Sequence, residues 1–139
     1  MTHVPKDVRD AVRKRAQHCC EYCLVGEADF YFTFHLDHVI SEKHRGLTEL
    51  GNLALSCPDC NAYKGADIGA NDPNTGELVR LFNPRTQTWG EHFVIQDDGM
   101  LLGLTPEGRA TVELLQINSF ERIEQRAELI GLGLYPRLS

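Results

Sequence analysis

Three features are missing from this sequence of 139 residues, and each absence excludes a class of protein. No apolar run approaches the roughly 20 residues that a membrane-spanning helix requires, so we expect no integral membrane protein. The first residues, MTHVPKDVRDAVRKRAQ, lack the apolar segment of a secretory signal, which predicts a cytoplasmic protein. A surplus of basic charge is also missing, because 20 acidic residues face 14 basic ones. The net charge of -6 therefore argues against a protein that binds nucleic acid through a diffuse basic surface.

The charges that are present are distributed unevenly. Residues 1–18 carry five Lys and Arg against two Asp, whereas residues 19–61 carry seven acids against Lys43 and Arg45. A basic flank beside an acidic centre would suit a cation site that attracts phosphate, but a solvated helix face explains the basic residues equally well. The sequence leaves these two interpretations open.

Five cysteines are present, and their spacing says more than their number. Disulfides are not expected in a reducing compartment. Four cysteines form two C-x2-C pairs, Cys20 with Cys23 and Cys57 with Cys60, and each pair can present two thiolates from one tight turn. Four sulfur ligands in tetrahedral geometry suit zinc or iron. We interpret the fifth, Cys19, as a bystander.

Local patterns predict the elements of the first half of the chain. Apolar residues at helical spacing after a proline predict an amphipathic helix over residues 5–18. Aromatic and β-branched residues predict a strand over 30–40, and LALSC predicts a second one over 53–57. A short helix is expected from Pro58 to Lys64, closed by glycine.

The second half begins with a segment rich in Gly, Asn, Asp and Pro, residues 65–76, which marks the expected internal boundary. Asp97-Asp98-Gly99 lies between two strand-like runs and predicts a hairpin. Thr105-Pro106 predicts a helix through about Gln116, and Ser119 predicts another that ends near Gly131. The expected fold class is α+β in a single domain.

The stretch LDHVI places an acid and an imidazole, Asp37 and His38, between strand-forming apolar residues. A buried carboxylate is costly unless it is paired, hydrogen-bonded or bound to a metal. If the four cysteines form one knot, Asn61 is brought near this pair. Asp37 and Asn61 could then share a hard cation through oxygen ligands, which leaves a ring nitrogen of His38 for chemistry.

Together these residues resemble the HNH endonuclease family over roughly residues 17–66. The pattern consists of Asp37-His38, Asn52-Leu53 and Cys57-Pro-Asp-Cys60-Asn61, followed by Lys64-Gly65. The resemblance implies a ββα-metal (His-Me finger) core with a zinc knot of four cysteines. One position departs from the pattern, since the third family residue is His in many members and is Asn61 here. The expected organisation is an N-terminal helix (1–18), the core (19–66), and a C-terminal extension of a hairpin and two helices (67–139).

The resemblance also implies an activity, which is metal-dependent hydrolysis of DNA phosphodiester bonds with little intrinsic sequence specificity. His38 would be the general base. Asn52 would brace the loop and orient His38 through hydrogen bonds. Asp37 and Asn61 would hold Mg²⁺ or Mn²⁺ as the catalytic ion. The four paired cysteines would bind a structural Zn²⁺.

Four further residues are candidates for substrate or supporting contacts: His35, His44, Arg45 and Lys64. Each has an ordinary alternative as a packed or solvated side chain. A non-catalytic zinc module that binds nucleic acid or protein is the competing function. An iron carrier of the rubredoxin type fits less well, because Leu24 and Asn61 follow the knuckles where such carriers usually have glycine. RNA stays open as a second substrate, and the oligomeric state stays open as well.

Overall fold

Residues 3–137 are described by the computed structural model, and within this range five α-helices accompany three two-stranded antiparallel sheets. The helices are α1 (Lys6–Arg15), α2 (Pro58–Lys64), α3 (Trp89–His92), α4 (Pro106–Leu114) and α5 (Phe120–Gly131). The strands are β1 (His35–His38), β2 (Leu53–Ser56), β3 (Gly69–Asn71), β4 (Leu78–Arg80), β5 (Phe93–Ile95) and β6 (Leu101–Gly103). The predicted α+β class is confirmed.

Helix α1 begins where the sequence predicted, after Pro5, but it ends earlier, at Arg15. Gln17 and His18 have positive φ angles of 54° and 57°, which a right-handed helix does not accommodate. Val12 is the fully buried residue of this helix and anchors it to the core.

Two basic side chains of α1 serve the fold. Arg13 donates to Glu27 and to the Phe34 carbonyl oxygen, the latter at 3.2 Å. Arg15 donates to the carbonyl oxygens of Leu50 and Leu53. Arg13 thus attaches α1 to the segment before β1, and Arg15 attaches it to the start of β2. Part of the basic leading segment therefore stabilises the fold.

Strands β1 and β2 pair antiparallel, with Asp37 opposite Ala54 and His38 opposite Leu53. The predicted first strand was too long, because β1 starts only at His35. Tyr31 and Phe32 precede it with exposed side chains. Their strand propensity is not matched by a partner strand, and propensity alone does not form a ladder.

Helix α2 has the predicted bounds. Pro58 occupies its first turn, and the Cys57 side chain caps it by accepting from the backbone N–H of Cys60. Gly65 ends it with a φ of 53°, which glycine adopts without strain. The local signals were sufficient here because both ends of the helix are encoded by adjacent residues.

The segment expected to be a boundary contributes a strand and a turn to a hairpin that was not predicted. β3 pairs with β4, and Asp72 organises the connection by accepting from the Asn74 N–H and the Thr75 hydroxyl. Arg109 of α4 donates to both carboxylate oxygens of Asp72, at 3.0 and 2.8 Å. Residues rich in turn formers therefore build a tight turn that docks on the C-terminal part.

The remaining predictions for the extension are confirmed at the level of elements. β5 and β6 flank Gly99, whose φ is 92°. Thr105 caps α4 by accepting from the Gly108 N–H, and Ser119 immediately precedes α5. Helix α3 was not predicted, since a single turn shows no measurable periodicity.

One hydrophobic core joins the two halves of the chain. It contains the paired cysteines together with Leu53 and Leu55 of β2, and Leu115 and Ile117 from the segment between α4 and α5. None of the helices in residues 3–137 combines the length and the apolar character needed to cross a membrane.

Candidate metal centre and active-site cleft

The two C-x2-C pairs come together in the core. The sulfur atoms of Cys20, Cys23, Cys57 and Cys60 all lie within 4.8 Å of one another and are buried. Zinc–sulfur bonds of about 2.3 Å in a tetrahedron place neighbouring sulfurs about 3.8 Å apart. The Cys23 and Cys57 sulfurs are 3.7 Å apart. The four ligands therefore fit one tetrahedral metal ion.

Each pair forms the same local turn. The Cys23 N–H donates to the Cys20 sulfur at 3.5 Å, and the Cys60 N–H donates to the Cys57 sulfur at 3.4 Å. Such bonds orient sulfurs before a metal arrives and stabilise their charged form. Cys19 lies outside the cluster, with its sulfur 3.5 Å from the Gln17 carbonyl oxygen, as expected of a bystander.

Among the closely spaced thiols, the pKa values of Cys23 and Cys60 are shifted in opposite directions. Hydrogen bonds from Cys20 and then Cys57 lower the pKa of Cys23, whereas burial raises the pKa of Cys60. Adjacent thiolates repel one another, so four sulfurs at this spacing do not all carry a negative charge readily without a cation. A divalent ion removes this conflict because every ligand can then be a thiolate.

Beside this knot, Asp37, His38 and Asn61 line one open cleft of about 720 Å³. Strand β1 supplies Asp37 and His38, and helix α2 supplies Asn61, the residue after Cys60. The cysteine knot thus brings one carboxylate, one imidazole and one amide to a shared space. His35 also lines the cleft and is exposed.

Asp37 is 5% exposed and already has two partners. The Tyr22 hydroxyl donates to Oδ2 at 2.7 Å, and the Lys64 ammonium lies 3.2 Å from Oδ1 and 3.1 Å from Oδ2. Burial raises the pKa of Asp37, and the Lys64 charge and the Tyr22 hydrogen bond oppose that rise. Lys64 therefore compensates the Asp37 carboxylate within the protein, and the cation that the sequence predicts for this carboxylate stays a prediction.

Lys64 was also a candidate for a contact to phosphate, and its position does not suit that role. Its side chain is 1% exposed, and it donates to the His38 carbonyl oxygen at 2.9 Å as well as to Asp37. The ammonium is directed under β1 because α2 packs on that strand. Lys64 is thus a buried partner of the cleft residues.

Two residues of the loop that follows β1 contact the His38 ring. Its Nε2 lies 2.8 Å from the Thr48 hydroxyl and 3.5 Å from a Glu42 carboxylate oxygen. The side chain is 18% exposed. One ring nitrogen is therefore fixed by the loop.

Asn52 fastens that loop to the strand. Its Oδ1 accepts from the Ile40 N–H, and its Nδ2 donates to the carbonyl oxygens of Ile40 and Leu47. Gly46 makes this approach possible, since a Cβ there would overlap the Ile40 carbonyl and lie 2.8 Å from Asn52 Nδ2. Asn52 therefore braces the loop that carries Thr48.

The other two candidates in this loop, His44 and Arg45, do not line the cleft. His44 and Arg45 are exposed on the turn Glu42–His44 and its end, whereas Lys43 and Arg9 line the cleft. Arg9 belongs to the basic leading segment, so that segment contributes one cation to the cleft wall.

Sequence reasoning missed three partners of the cleft residues: Tyr22, which contacts Asp37, and Thr48 and Glu42, which contact His38. Tyr22 lies inside the first C-x2-C turn, so the spacing alone could have pointed to it. No local signal pointed to Thr48 or Glu42, because their contacts to His38 depend on how the loop folds back.

Comparisons with known proteins agree with this geometry. Residues 20–67 match the family model described as HNH endonuclease. No curated protein and no solved structure matches the chain. The matched segment contains both cysteine pairs, Asp37, His38 and Asn61, so the part of the chain that builds the cysteine cluster and the cleft is similar to the HNH endonuclease family.

Proposed function

We propose that the protein is a metal-dependent endonuclease that hydrolyses DNA phosphodiester bonds, nicking or cleaving with little intrinsic sequence preference. The observation that carries this proposal is the shared cleft of Asp37, His38 and Asn61 beside a cluster of four cysteines. The family match supports a nuclease-type function for the same residues. RNA is the alternative substrate that the assay below includes.

Two metal sites of different chemistry follow from the ligands. The four buried sulfurs suit a structural Zn²⁺, which prefers thiolates in a closed tetrahedron. The carboxylate of Asp37 and the side-chain oxygen of Asn61 suit a hard cation such as Mg²⁺ or Mn²⁺ that retains several waters. Such an ion stabilises charge that develops on the phosphate and on the departing oxygen.

Asp37 retains acceptor capacity for this role. An ionised carboxylate offers about four lone-pair sites on its two oxygens. Tyr22 and Lys64 approach from the protein side, while Asp37 also lines the cleft. These partners fix the orientation of the carboxylate, as outer partners of metal ligands do in other metal sites.

The contacts of His38 indicate which nitrogen acts as the base. A carboxylate such as Glu42 only accepts hydrogen bonds, so its position near Nε2 favours the tautomer with the proton on Nε2. In that tautomer the Thr48 hydroxyl oxygen accepts from the same N–H. The lone pair is then on Nδ1, which takes the proton from the attacking water.

Arg9 and Lys43 line the same cleft and supply positive charge for the DNA backbone. This local pair of cations accommodates a phosphate chain although the whole protein is acidic. Non-specific affinity is then modest and decreases as salt concentration rises.

A second candidate is a zinc module that binds nucleic acid or protein without catalysis. The observation that favours it is the ion pair of Asp37 with Lys64, which satisfies the carboxylate without a second metal. In this case the cleft is a rigid polar surface and His38 has no chemical role.

A nicking assay on supercoiled plasmid, repeated on single-stranded RNA, separates the two candidates. We expect cleavage with Mg²⁺ or Mn²⁺, none with chelator, and a loss of about 10²–10⁴-fold in rate for His38→Ala. Zinc content and circular dichroism should stay native in that variant. His18→Ala is the matched control, because His18 is an exposed histidine that does not line the cleft.

Equal cleavage by His38→Ala and the native protein would exclude His38 as the base. Binding of DNA without cleavage in any divalent metal would support the zinc module. Cleavage confined to RNA would reassign the substrate.

A further inference from the structure

Two arginines on α5 point into the core beside the cysteine cluster. Arg122 and Arg126 are one helical turn apart, with exposures of 6% and 0%. Helix α5 lies outside the segment that matches the HNH family. Fully buried arginines are uncommon because a buried charge is costly unless it is compensated.

Arg122 contacts the cysteine sulfurs directly. Its Nη2 lies 3.0 Å from the Cys60 sulfur and 3.8 Å from the Cys57 sulfur. Nη1 of the same side chain donates to the Leu115 carbonyl oxygen at 2.7 Å, which fixes the plane of the guanidinium. A planar donor held in this way forms a directed N–H···S contact.

Arg126 is anchored one turn further along the helix. It donates to the carbonyl oxygens of Gly99 and Ile117, at 2.7 and 2.8 Å. Its Nη1 is buried and has no hydrogen-bond partner. Backbone carbonyls satisfy some of its N–H groups, but they do not neutralise its charge.

Carboxylates do not provide the missing compensation. The acid nearest to Arg122 is Asp59, 3.8 Å from Nε and 56% exposed. Among the ion pairs of residues 3–137, none joins Arg126 to a carboxylate. The two buried cations beside the cysteines therefore have one ion-pair partner among the described carboxylates, the half-exposed Asp59 at 3.8 Å from Arg122.

The cysteines compensate this charge if they hold a divalent metal. Four thiolates around one Zn²⁺ leave two negative charges, which equals the charge of the two guanidiniums with opposite sign. Four neutral thiols would offer no such balance.

We propose that Arg122 and Arg126 are the counter-charge of the zinc tetrathiolate, which makes α5 a structural part of the metal centre. Arg122 donates to Cys60 and limits the reactivity of that sulfur, while Arg126 contributes charge from the next turn. Both slow the loss of zinc. This inference rests on the zinc site of the proposed function and is independent of cleavage.

Zinc transfer to a colorimetric chelator tests the inference on the full-length protein. We expect Arg122→Met to bind zinc about 10–100-fold more weakly, as is typical when a partner of a metal ligand is removed. Arg126→Met should show a smaller loss in the same direction. Arg109→Met is the matched control, since Arg109 is paired with Asp72 away from the cysteines, and it should hold zinc like the native protein.

The cobalt(II) derivative gives a readout that a packing role would not change. The sulfur-to-cobalt charge-transfer band reports the electron density on the thiolates, so it should shift in Arg122→Met and stay in place in Arg109→Met. Arg122→Lys serves if the methionine variant does not fold. It keeps the charge but not the planar donor, and we expect faster zinc release together with a smaller shift of the band.

Native zinc affinity and an unshifted band in the folded Arg122 and Arg126 variants would overturn the inference. A native protein that binds neither zinc nor cobalt would overturn the zinc site itself and this inference with it. Zinc binding without DNA cleavage would contradict only the endonuclease proposal.

Discussion

Lys64 and Asp37 form a buried ion pair under the cleft, with side-chain exposures of 1% and 5%. Desolvation of both charges offsets much of their attraction, so the pair by itself adds little stability. Removal of one partner destabilises the fold strongly, because the remaining charge stays buried without compensation. At the scale of single residues, this pair is the most sensitive point of the cleft.

We expect Lys64→Met to lower the free energy of unfolding by about 3–5 kcal/mol at neutral pH. The loss should shrink as pH falls, because Asp37 becomes neutral on protonation and its pKa in the variant rises without Lys64. Urea denaturation at several pH values measures this effect.

Lys6→Met is the control for this substitution. Its partner Asp10 is one turn away on the surface of α1, so little change in the free energy of unfolding is expected. A Lys64→Met protein as stable as the native one at neutral pH would mean that Tyr22 alone sustains the Asp37 carboxylate.

At the scale of elements, the β3–β4 hairpin is attached to α4 through one charged contact. Arg109 donates two hydrogen bonds to Asp72, whose side chain is enclosed by the turn. These bonds lower the pKa of Asp72 below its ordinary value. The contact therefore depends on the carboxylate remaining ionised.

The pH dependence of stability should reveal this contact. A carboxyl group with a lowered pKa stabilises the fold above its unfolded pKa of about 3.9, and that contribution is lost as pH falls below it. We expect Asp72→Asn to be less stable than the native protein near neutral pH. The difference in melting temperature should narrow below about pH 4, and a constant difference would contradict this account.

Elements differ in how far the sequence alone predicted them. Helix α2 and the β5–β6 hairpin follow from adjacent residues, Pro58 and Gly65 in the first case and Gly99 in the second. The β3–β4 hairpin was missed because its three-residue strands are too short to show alternation and its turn has no Asp-Gly or Asn-Gly pair like the one before β6. The predicted strand over 30–40 was too long, because β2 offers only four residues to pair with.

At the scale of the whole molecule, the extension covers the first cysteine turn. The Trp89 indole N–H donates to the Tyr22 carbonyl oxygen, and the Tyr135 hydroxyl donates to the Cys23 carbonyl oxygen. Arg85 is paired with Glu21 next to them. Residues beyond the HNH segment therefore hold the metal cluster in place, which supports our proposal that residues 1–139 fold as one unit.

Removal of zinc should then destabilise the entire chain and not only the turns that bind it. Free zinc at about 1,000 times its dissociation constant stabilises a folded protein by about 4 kcal/mol. We expect a strong chelator to lower the melting temperature in a single transition and added Zn²⁺ to restore it.

Mg²⁺ is the control ion for this experiment, since it binds thiolates poorly and should not restore stability. Calorimetry measures each transition. Two separate transitions after chelation would show that the extension is stable without the metal cluster.

The sequence by itself indicated the four residues of the cysteine cluster and three residues of the cleft, Asp37, His38 and Asn61. A C-x2-C turn is a local structure, and Asp37-His38 and Asn61 are adjacent to elements that local signals define. The tertiary structure decided which residues neutralise these groups. Lys64 is 27 positions from Asp37, and Arg122 is 62 positions from Cys60. Such pairs arise from the packing of helices against strands and turns, and no periodicity or motif in the chain encodes which distant cation meets which buried anion.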